Sequence, residues 1–255
     1  MLKTQTAKQT LKSLFADNGV VAAFSRRIDG NMSLCHGATE NSLTNRANFL
    51  EGLGMDYQNL VCAKQIHTSN IKLAIAKDTG RGALSYDTAI KATDALIAKD
   101  KNLPLAVFTA DCLPIFLFDA ATPAIGLAHA GWRSSKVNIV KKTIRAMQDA
   151  FGTKAGSLQV IFGPRINICC YEVGEEFADY FPQGIRRKGS RYYLDLGEIN
   201  KGQALSMGVK DDNILDLGLC TYCRGDEFFS FRREGESCGR MMSVIMLKGH
   251  PSSQS

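Results

Sequence analysis

The chain has 255 residues, of which 45% are hydrophobic and 22% are charged, an ordinary globular composition that argues against disorder. Its formal charge of +6 is spread along the sequence, and the densest basic clusters are only Lys141-Lys142 and Arg186-Arg187-Lys188. Neither cluster makes the basic stripe with interleaved aromatic residues that is typical of nucleic-acid binding, so we expect no nucleic-acid partner. An anionic small substrate is compatible with the excess charge.

The lengths of the apolar runs indicate the cellular compartment of the protein. No run approaches the ~18–20 apolar residues needed to span a bilayer, and segment 1–19 has no apolar stretch long enough for a signal-peptide core. We therefore expect a cytoplasmic protein with no membrane partner. The eight cysteines are then expected to be thiols, because the cytosol keeps them reduced.

Apolar runs and helical patterns alternate along the chain. Buried strands are predicted at Val20–Phe24, Leu60–Ala63, Ile71–Ala76, Leu105–Thr109, Pro114–Phe118, Ala124–His129, Leu158–Phe162 and Met241–Met246. Helices are predicted at Asn45–Leu53, Ser134–Phe151, Val173–Tyr180 and Gly197–Met207. The three runs between residues 105 and 129 follow one another closely, which predicts local antiparallel pairing. The mixture indicates an α/β class, and we predict a single layered domain over residues 1–255, with mixed β-sheets flanked by helices.

Three reactive side chains stand at the ends of apolar runs, namely His67, Cys112 and His129. Strand ends that face helix N-termini are where α/β proteins assemble their sites. Two neutral imidazoles and one thiolate are good ligands for Zn²⁺ or copper, and a set of three protein ligands leaves a fourth position open, as in catalytic zinc sites. Such a site activates a water molecule as a nucleophile. The pattern therefore suggests a metalloenzyme.

Each of these residues also has a simpler interpretation. A histidine at a strand end is often a hydrogen-bonded core residue, and a buried cysteine is often just a small hydrophobe. Cys112 could also act as a nucleophile with His129 as its base, without any metal. The spacing of 45 and then 17 residues matches no generic metal motif, so spacing alone leaves these alternatives open.

The remaining cysteines give a weaker signal. Cys220-x-x-Cys223 is the only pair with metal-type or redox-type spacing, and the other cysteines do not complete a zinc-finger pattern. The sequence therefore favours a structural turn with packed thiols over a zinc site. If the adjacent residues Cys169 and Cys170 are extended, their side chains point to opposite faces, so one of them is expected in the core.

Arginines beside small turns are candidates for binding phosphate or carboxylate, because the guanidinium fork suits both anions. They are Arg46, Arg133, Arg232 and Arg240. For each of them a surface salt bridge is the alternative. Asp111 is the first candidate for an acid or base because it adjoins Cys112, although adjacent side chains of an extended strand face opposite ways.

Taken together, several segments resemble the laccase-domain family, whose members are described as multicopper polyphenol oxidases and as purine nucleoside phosphorylases with adenosine deaminase side activity. The resemblance runs in order over about residues 20–247. It is carried by Gln65-Ile-His67, Thr109-Ala-Asp-Cys-Leu-Pro114, His129-Ala-Gly-Trp-Arg133, Gly163-Pro164, Cys169-Cys-Tyr-Glu-Val-Gly174, Phe229-Ser-Phe-Arg-Arg233 and Gly239-Arg240.

By that resemblance, His67, Cys112 and His129 fall on the family's zinc-binding histidine, cysteine and histidine, and they are the expected catalytic residues. Arg46 matches the family's Asn-Arg element, and Ser25 matches its N-terminal strand, so both are expected to contact substrate together with Arg133. The resemblance implies Zn²⁺ as the metal, with Cu²⁺ as the alternative. It also implies a fold related to bacterial toxin deamidases that use a Cys–His pair.

The implied reaction is phosphorolysis of inosine, adenosine or methylthioadenosine to a free base and a sugar 1-phosphate, with adenosine deamination at the same site. Copper-dependent oxidation of phenols is the first alternative, although the chain's four histidines are too few for a complete multicopper cluster. A metal-free Cys–His hydrolase and a non-enzymatic binding protein are the others. Departures from the family pattern at Thr68, Ser134 and Arg165 leave the substrate preference open.

Overall fold

The computed structural model describes residues 19–249. The N-terminal segment for which the sequence predicts no signal peptide lies outside these residues, apart from Gly19. Across the described range, no helix combines the length and apolarity that crossing a membrane requires.

The strands are β1 (Val20–Phe24), β2 (Val61–Cys62), β3 (Ile71–Leu73), β4 (Ala95–Ala98), β5 (Leu105–Thr109), β6 (Leu113–Asp119), β7 (Ala124–Ala130), β8 (Leu158–Phe162), β9 (Glu172–Val173), β10 (Ile185–Lys188), β11 (Arg191–Leu194), β12 (Ile214–Asp216) and β13 (Met241–Leu247). The helices are α1 (Thr39–Glu51), α2 (Trp132–Lys136), α3 (Ile139–Phe151), α4 (Phe177–Tyr180), α5 (Leu196–Ser206) and α6 (Phe231–Glu234).

The strands form three sheets, two of which are mixed. One sheet has the order β1-β13-β5-β2, with antiparallel pairs except at the parallel β5–β2 edge. The larger sheet has the order β12-β8-β6-β7-β4-β3, with an antiparallel centre and a parallel pair at each edge. A small antiparallel sheet joins β10, β11 and β9. The prediction of an α/β fold with mixed sheets flanked by helices is therefore confirmed.

The two larger sheets face each other across the main core. Their shared layer includes Phe24 and Val107 from the first sheet and Phe116 from the second, all buried. Helix α3 covers the other face of the six-stranded sheet with an apolar stripe that includes Ile144, and α1 covers the other face of the four-stranded sheet through residues such as Phe49. The result is a helix–sheet–sheet–helix layering.

The predicted pairing among the three runs between residues 105 and 129 is only half correct. Strands β6 and β7 pair in antiparallel fashion, but β5 belongs to the other sheet and pairs with β13 and β2. Between β5 and β6 the chain passes from one sheet to the other through a turn at Asp111, whose φ is +81°. This crossover is where Cys112 lies.

The long helix predicted over Ser134–Phe151 is in fact two helices. Asn138 adopts the left-handed conformation, with φ 63° and ψ 47°, and separates α2 from α3. Asparagine tolerates this conformation better than most residues because its short polar side chain can bond locally. The helix predicted over Val173–Tyr180 was also too long, since only α4 is helical there and residues 172–173 form strand β9.

Sequence periodicity missed strand β4 and the small three-stranded sheet. Strand β4 is only four residues long, Ala-Leu-Ile-Ala, and is buried on both faces, so it shows no alternation. The basic cluster Arg186-Arg187-Lys188 lies on β10, an edge strand whose arginines and lysine are exposed. Charged side chains on an edge strand protect it from pairing with another chain.

Candidate metal centre

His67 lies six residues after the start of β2, in a turn that holds it at a positive φ of 61°. Its backbone N–H donates to Oδ1 of Asp94 at 2.9 Å, and the N–H of Thr68 donates to Oδ2 at 2.7 Å. A non-glycine residue in this region of backbone space is uncommon and is maintained by its surroundings. Here the buried carboxylate of Asp94 supplies the acceptors that fix the turn.

Cys112 follows Asp111 at the crossover between the two sheets. The carboxylate of Asp111 accepts hydrogen bonds from the Thr221 hydroxyl at 2.6 Å, the Ser230 hydroxyl at 3.0 Å and the Arg232 backbone N–H at 2.7 Å. With its lone pairs engaged by three donors, Asp111 is suited to fixing the backbone next to Cys112. This arrangement argues against the sequence-based suggestion that Asp111 transfers a proton to or from the substrate.

His129 lies near the end of β7 and is almost fully buried. Its Nδ1 is 2.8 Å from Oδ1 of Asp94, and its backbone N–H donates to the Asp94 carbonyl at 2.7 Å. A carboxylate bonded to one ring nitrogen fixes the orientation of an imidazole and leaves the other nitrogen free as a ligand. Asp94 therefore positions both histidines, a role that its sequence context did not indicate.

The structure brings His67, Cys112 and His129 together. One ligand atom from each lies within 4.8 Å of the others, with 3.8 Å between Cys112 Sγ and His67 Nε2. A Cβ atom at Gly131 would lie 2.9 Å from His67 Cδ2 and 3.0 Å from Cys112 Sγ, so the backbone approaches the two ligands as closely as glycine allows. Two nitrogens and one sulfur at these separations suit Zn²⁺ or copper, and no fourth protein ligand accompanies them in the described residues.

The charges of Cys112 and His129 depend on each other. Burial alone would raise the pKa of the Cys112 thiol, but the neighbouring His129 and His67 lower that pKa to about 6. Burial would likewise lower the pKa of His129, but the Cys112 thiolate and Asp94 raise it to about 9. Without a metal, the expected state at neutral pH is a thiolate–imidazolium pair. A bound metal would take the place of the shared proton.

A cavity of about 620 Å³ opens onto the three side chains. Its wall is mixed, with aromatic rings, arginines and polar groups. Examples are Phe108, Tyr171, Phe231, Arg232, Arg240 and Gln65. A volume of this size accommodates a small organic molecule, and aromatic walls with a few polar groups are typical of small-molecule sites.

Arg46 lies at the cavity and is buried, with 2% of its surface exposed. Its guanidinium donates to the carbonyls of Met32, Gly82 and Ala83 at 2.7–3.0 Å and lies 4.6 Å above the Phe108 ring. No ion pair joins Arg46 to a carboxylate within residues 19–249, and burial lowers its pKa. A buried cation without a carboxylate partner favours an anionic ligand.

Of the other residues predicted to contact substrate, Arg133 and Arg240 line the cavity and Ser25 does not. Arg133 lines the cavity and lies 4.4 Å from the centre of the Trp132 ring. Arg240 also lines it, with Nη2 3.3 Å from His36 Nε2. Ser25 is fully buried and accepts a hydrogen bond from the Met242 N–H, so it fixes β13 and does not line the cavity. A substrate contact by Ser25 stays a prediction that this position does not favour.

The four cysteines Cys169, Cys170, Cys220 and Cys223 form a second group, with all four sulfur atoms within 4.8 Å of one another. The expectation that one of the adjacent pair lies in the core is wrong. Cys169 and Cys170 occupy a turn, neither is buried, and both sulfurs lie near that of Cys223. The extended backbone assumed for the pair would have separated their side chains, but a turn does not.

Comparison with known proteins places this architecture in a family. The family model for the multi-copper polyphenol oxidoreductase laccase matches residues 24–248. The chain belongs to this laccase family. A crystal structure of YlmD from Geobacillus stearothermophilus superimposes with a TM-score of 0.87 at 30% identity, covering 91% of this chain and 93% of that one.

Curated relatives of this laccase-family chain carry names that refer to nucleosides. It is 31% identical over 221 residues to the purine nucleoside phosphorylase YlmD of Bacillus subtilis, covering 84% of this chain and 80% of that protein. It is 29% identical over 205 residues to adenosine deaminase RL5 from an unknown prokaryotic organism, covering 77% of this chain and 78% of that protein. Relatives with both names support an enzyme, and they agree with the family resemblance of the motifs.

Proposed function

We propose that the protein is a metal-dependent purine nucleoside phosphorylase that also deaminates adenosine. The observation that carries the proposal is the His67–Cys112–His129 group on the wall of a 620 Å³ cavity that also contains the buried cation of Arg46. The names of the relatives support the substrate class, a purine nucleoside. The proposed substrates are inosine, adenosine or methylthioadenosine with phosphate. Zn²⁺ is the proposed metal, and Cu²⁺ is the alternative.

The metal ligands are His67, Cys112 and His129. When bound, a zinc ion at this site supplies Lewis-acid activation of an oxygen atom in the open position. The protein's own contribution is orientation: Asp94 holds the His129 ring through Nδ1 and fixes the turn that carries His67. Burial of His129 and Asp94 also excludes bulk water from their contact, which strengthens the electrostatic interaction between them.

The cavity wall suggests how the two substrates would be held. Phosphate is assigned to Arg46 and Arg133, because both are cations at the cavity. Nε and Nη1 of Arg46 donate to three backbone carbonyls, so its Nη2 donors are the ones assigned to phosphate. The flat purine is assigned to the aromatic part of the wall, where Phe108, Tyr171 and Phe231 line the same cavity. Both substrates would then be held beside the metal ligands, which lowers the entropic cost of bringing them together.

The proposal is tested by chromatographic product analysis. Zinc-loaded protein is incubated with inosine or adenosine, with and without phosphate, alongside Cys112→Ala and the control Cys238→Ala, which alters a buried thiol outside both cysteine-containing groups. We expect phosphate-dependent release of hypoxanthine or adenine from the wild type and the control, and its loss in Cys112→Ala. Absence of any product from the zinc-loaded wild type would overturn the proposal.

Two other activities have specific support. The His–Cys–His donor set resembles that of copper sites, and the family model is named for polyphenol oxidation, so copper-loaded protein with phenols is the second assay. The thiolate–imidazolium pair of Cys112 and His129 supports a metal-free hydrolase, in line with the predicted relation to toxin deamidases. Activity that survives complete metal removal would favour the hydrolase over both metalloenzymes.

We also propose that residues 1–255 form one domain and act in the cytoplasm. One family model matches residues 24–248, which supports a single domain. All eight cysteines are unpaired thiols, and this supports a reducing compartment.

A further inference from the structure

Two separate loops contribute the four sulfur atoms of the second cysteine group. Cys169 and Cys170 lie in the turn that precedes β9, and Cys220 and Cys223 lie in the turn that follows β12. The sulfur of Cys169 is 3.7 Å from that of Cys220 and 3.6 Å from that of Cys223, and Cys170 Sγ is 3.2 Å from Cys223 Sγ. All of these distances exceed the ~2.05 Å of a disulfide bond.

Sulfur atoms 3.2–3.7 Å apart are close to the spacing of a metal–thiolate centre. Four thiolates around a tetrahedral Zn²⁺ with Zn–S bonds of about 2.3 Å lie about 3.8 Å apart, because the tetrahedral angle and the bond length fix the edge. We propose that Cys169, Cys170, Cys220 and Cys223 bind one zinc ion as a closed structural site, separate from the His67–Cys112–His129 centre. Four protein ligands leave no open position, so this second ion would serve structure.

Hydrogen bonds around the sulfur atoms support the assignment. The backbone N–H of Asn167 donates to Cys220 Sγ at 3.5 Å. Backbone N–H groups stabilise thiolate charge. Around a metal ion, such donors orient the ligand atoms and adjust the affinity of the site for the metal. The two loops also pair directly, through Arg165 N–H to Leu219 O at 3.0 Å and Thr221 N–H to Arg165 O at 2.9 Å.

The position of the site indicates what a zinc ion there would do. Thr221, between Cys220 and Cys223, holds the carboxylate of Asp111, the residue before Cys112. Tyr171, directly after Cys170, lines the cavity. An ion that clamps the two loops therefore fixes one wall of the substrate cavity and the backbone beside Cys112. The adjacent Cys-Cys pair fits this role because its turn lets both sulfurs face Cys223.

Metal content of the purified protein tests the proposal without reference to activity. Wild type, Cys220→Ser/Cys223→Ser, His67→Ala/His129→Ala and the control Cys238→Ser are expressed with zinc and analysed by elemental mass spectrometry. We expect two zinc ions per chain in the wild type and the control. Each double variant should retain one. Because the histidine variant keeps the four-cysteine site, failure of the proposed enzymatic function leaves this result unaffected.

Cobalt spectroscopy tests the four-cysteine site without a cysteine substitution, so it remains informative if the cysteine variant does not fold. The His67→Ala/His129→Ala variant is loaded with Co²⁺, and we expect the visible bands of a tetrahedral ion together with strong sulfur-to-cobalt charge transfer. Titration of thiols in the same variant should find four that become reactive only after chelation. Absence of the tetrahedral spectrum, or a disulfide among these four cysteines in freshly purified protein, would overturn the proposal.

Discussion

A single carboxylate serves both histidines of the metal centre: Oδ1 of Asp94 lies 2.8 Å from His129 Nδ1 and also accepts the backbone N–H of His67 at 2.9 Å. Asp94 is fully buried, and the hydrogen bond from His129 together with donors from Thr68 lowers its pKa against the opposing effect of burial. The two ligand positions therefore depend on one side chain that does not itself bind the metal.

Replacing this carboxylate should weaken metal binding. We expect Asp94→Asn to lower the zinc affinity of the His67–Cys112–His129 centre by about 10–100-fold, because the amide cannot accept all the hydrogen bonds that the carboxylate does. Competition with a chromophoric chelator measures the change. Asp119→Asn is the matched control, since Asp119 is an equally buried carboxylate that bonds Ala121, Thr122 and Ser157 at the end of β6. Equal affinities in the two variants would contradict the positioning role.

A second prediction concerns Gly131, where the backbone lies close to the side chains of His67 and Cys112. Gly131→Ala would place a methyl group within about 3 Å of His67 and Cys112 and push these ligands apart, so we expect a loss of zinc affinity of at least tenfold. Gly202→Ala is the control, because the space around Gly202 in α5 is open and alanine favours helices by ~1 kcal/mol. Isothermal titration of both variants with zinc tests the contrast. An unchanged affinity in Gly131→Ala would show that the turn adjusts without strain.

Arg46 is expected to act on phosphate more than on the nucleoside. Arg46→Lys keeps a positive charge but removes the Nη2 donors, so we expect the KM for phosphate to rise at least tenfold while the KM for inosine changes less. Initial rates at varied phosphate measure the effect, and a melting curve reports whether the loss of hydrogen bonds to Met32, Gly82 and Ala83 has destabilised the fold. Equal changes in both KM values would argue that Arg46 only supports the fold.

Arg165 and Asp216 should make stability depend on pH. The buried guanidinium binds both carboxylate oxygens, at 2.8 and 2.7 Å; burial alone would raise the pKa of Asp216, but Arg165 lowers it overall. We expect Asp216→Asn to reduce the free energy of unfolding at neutral pH by about 1–3 kcal/mol, a range that allows for the partial exposure of the carboxylate.

The sign of the pH dependence follows from linkage. A lowered pKa in the folded state contributes stability at all pH values above the unfolded pKa, near 3.8, and this contribution is lost as the pH falls towards the folded pKa. The wild type and Asp216→Asn should therefore differ by a constant amount above about pH 5 and converge in stronger acid. Urea unfolding at several pH values measures this, and a difference that grows on acidification would contradict the assignment.

The residues of the metal centre could be predicted in part because each follows an apolar run that is visible in the sequence. His129 ends such a run, and the structure places it beside His67 and Cys112. Asp94 gave no such signal, because an aspartate before a short strand is common in turns and its partners are 26 to 35 residues away. Only the pairing of β4 with β7 reveals its position.

The second cysteine group was missed for a different reason. Adjacent side chains point to opposite faces if the backbone is extended, and the adjacent spacing of Cys169 and Cys170 matches no common zinc motif. Their approach to Cys223 depends on two loops that are about 50 residues apart in the chain and meet only in the folded protein. The break at Asn138 and the separation of β5 from β6 were likewise decided by tertiary structure, which overrides local propensity.

The crossover at Cys112 also bears on how long the protein survives in a cell. His67 follows a strand of one sheet, His129 lies near the end of a strand of the other, and Cys112 lies on the segment that connects the two sheets. An ion held by all three therefore ties the two sheets together, and it binds a folded chain far better than an unfolded one. Mass action then stabilises the occupied protein. Under metal starvation, a larger share of molecules would open and be degraded, so the amount of this protein should follow the supply of its metal.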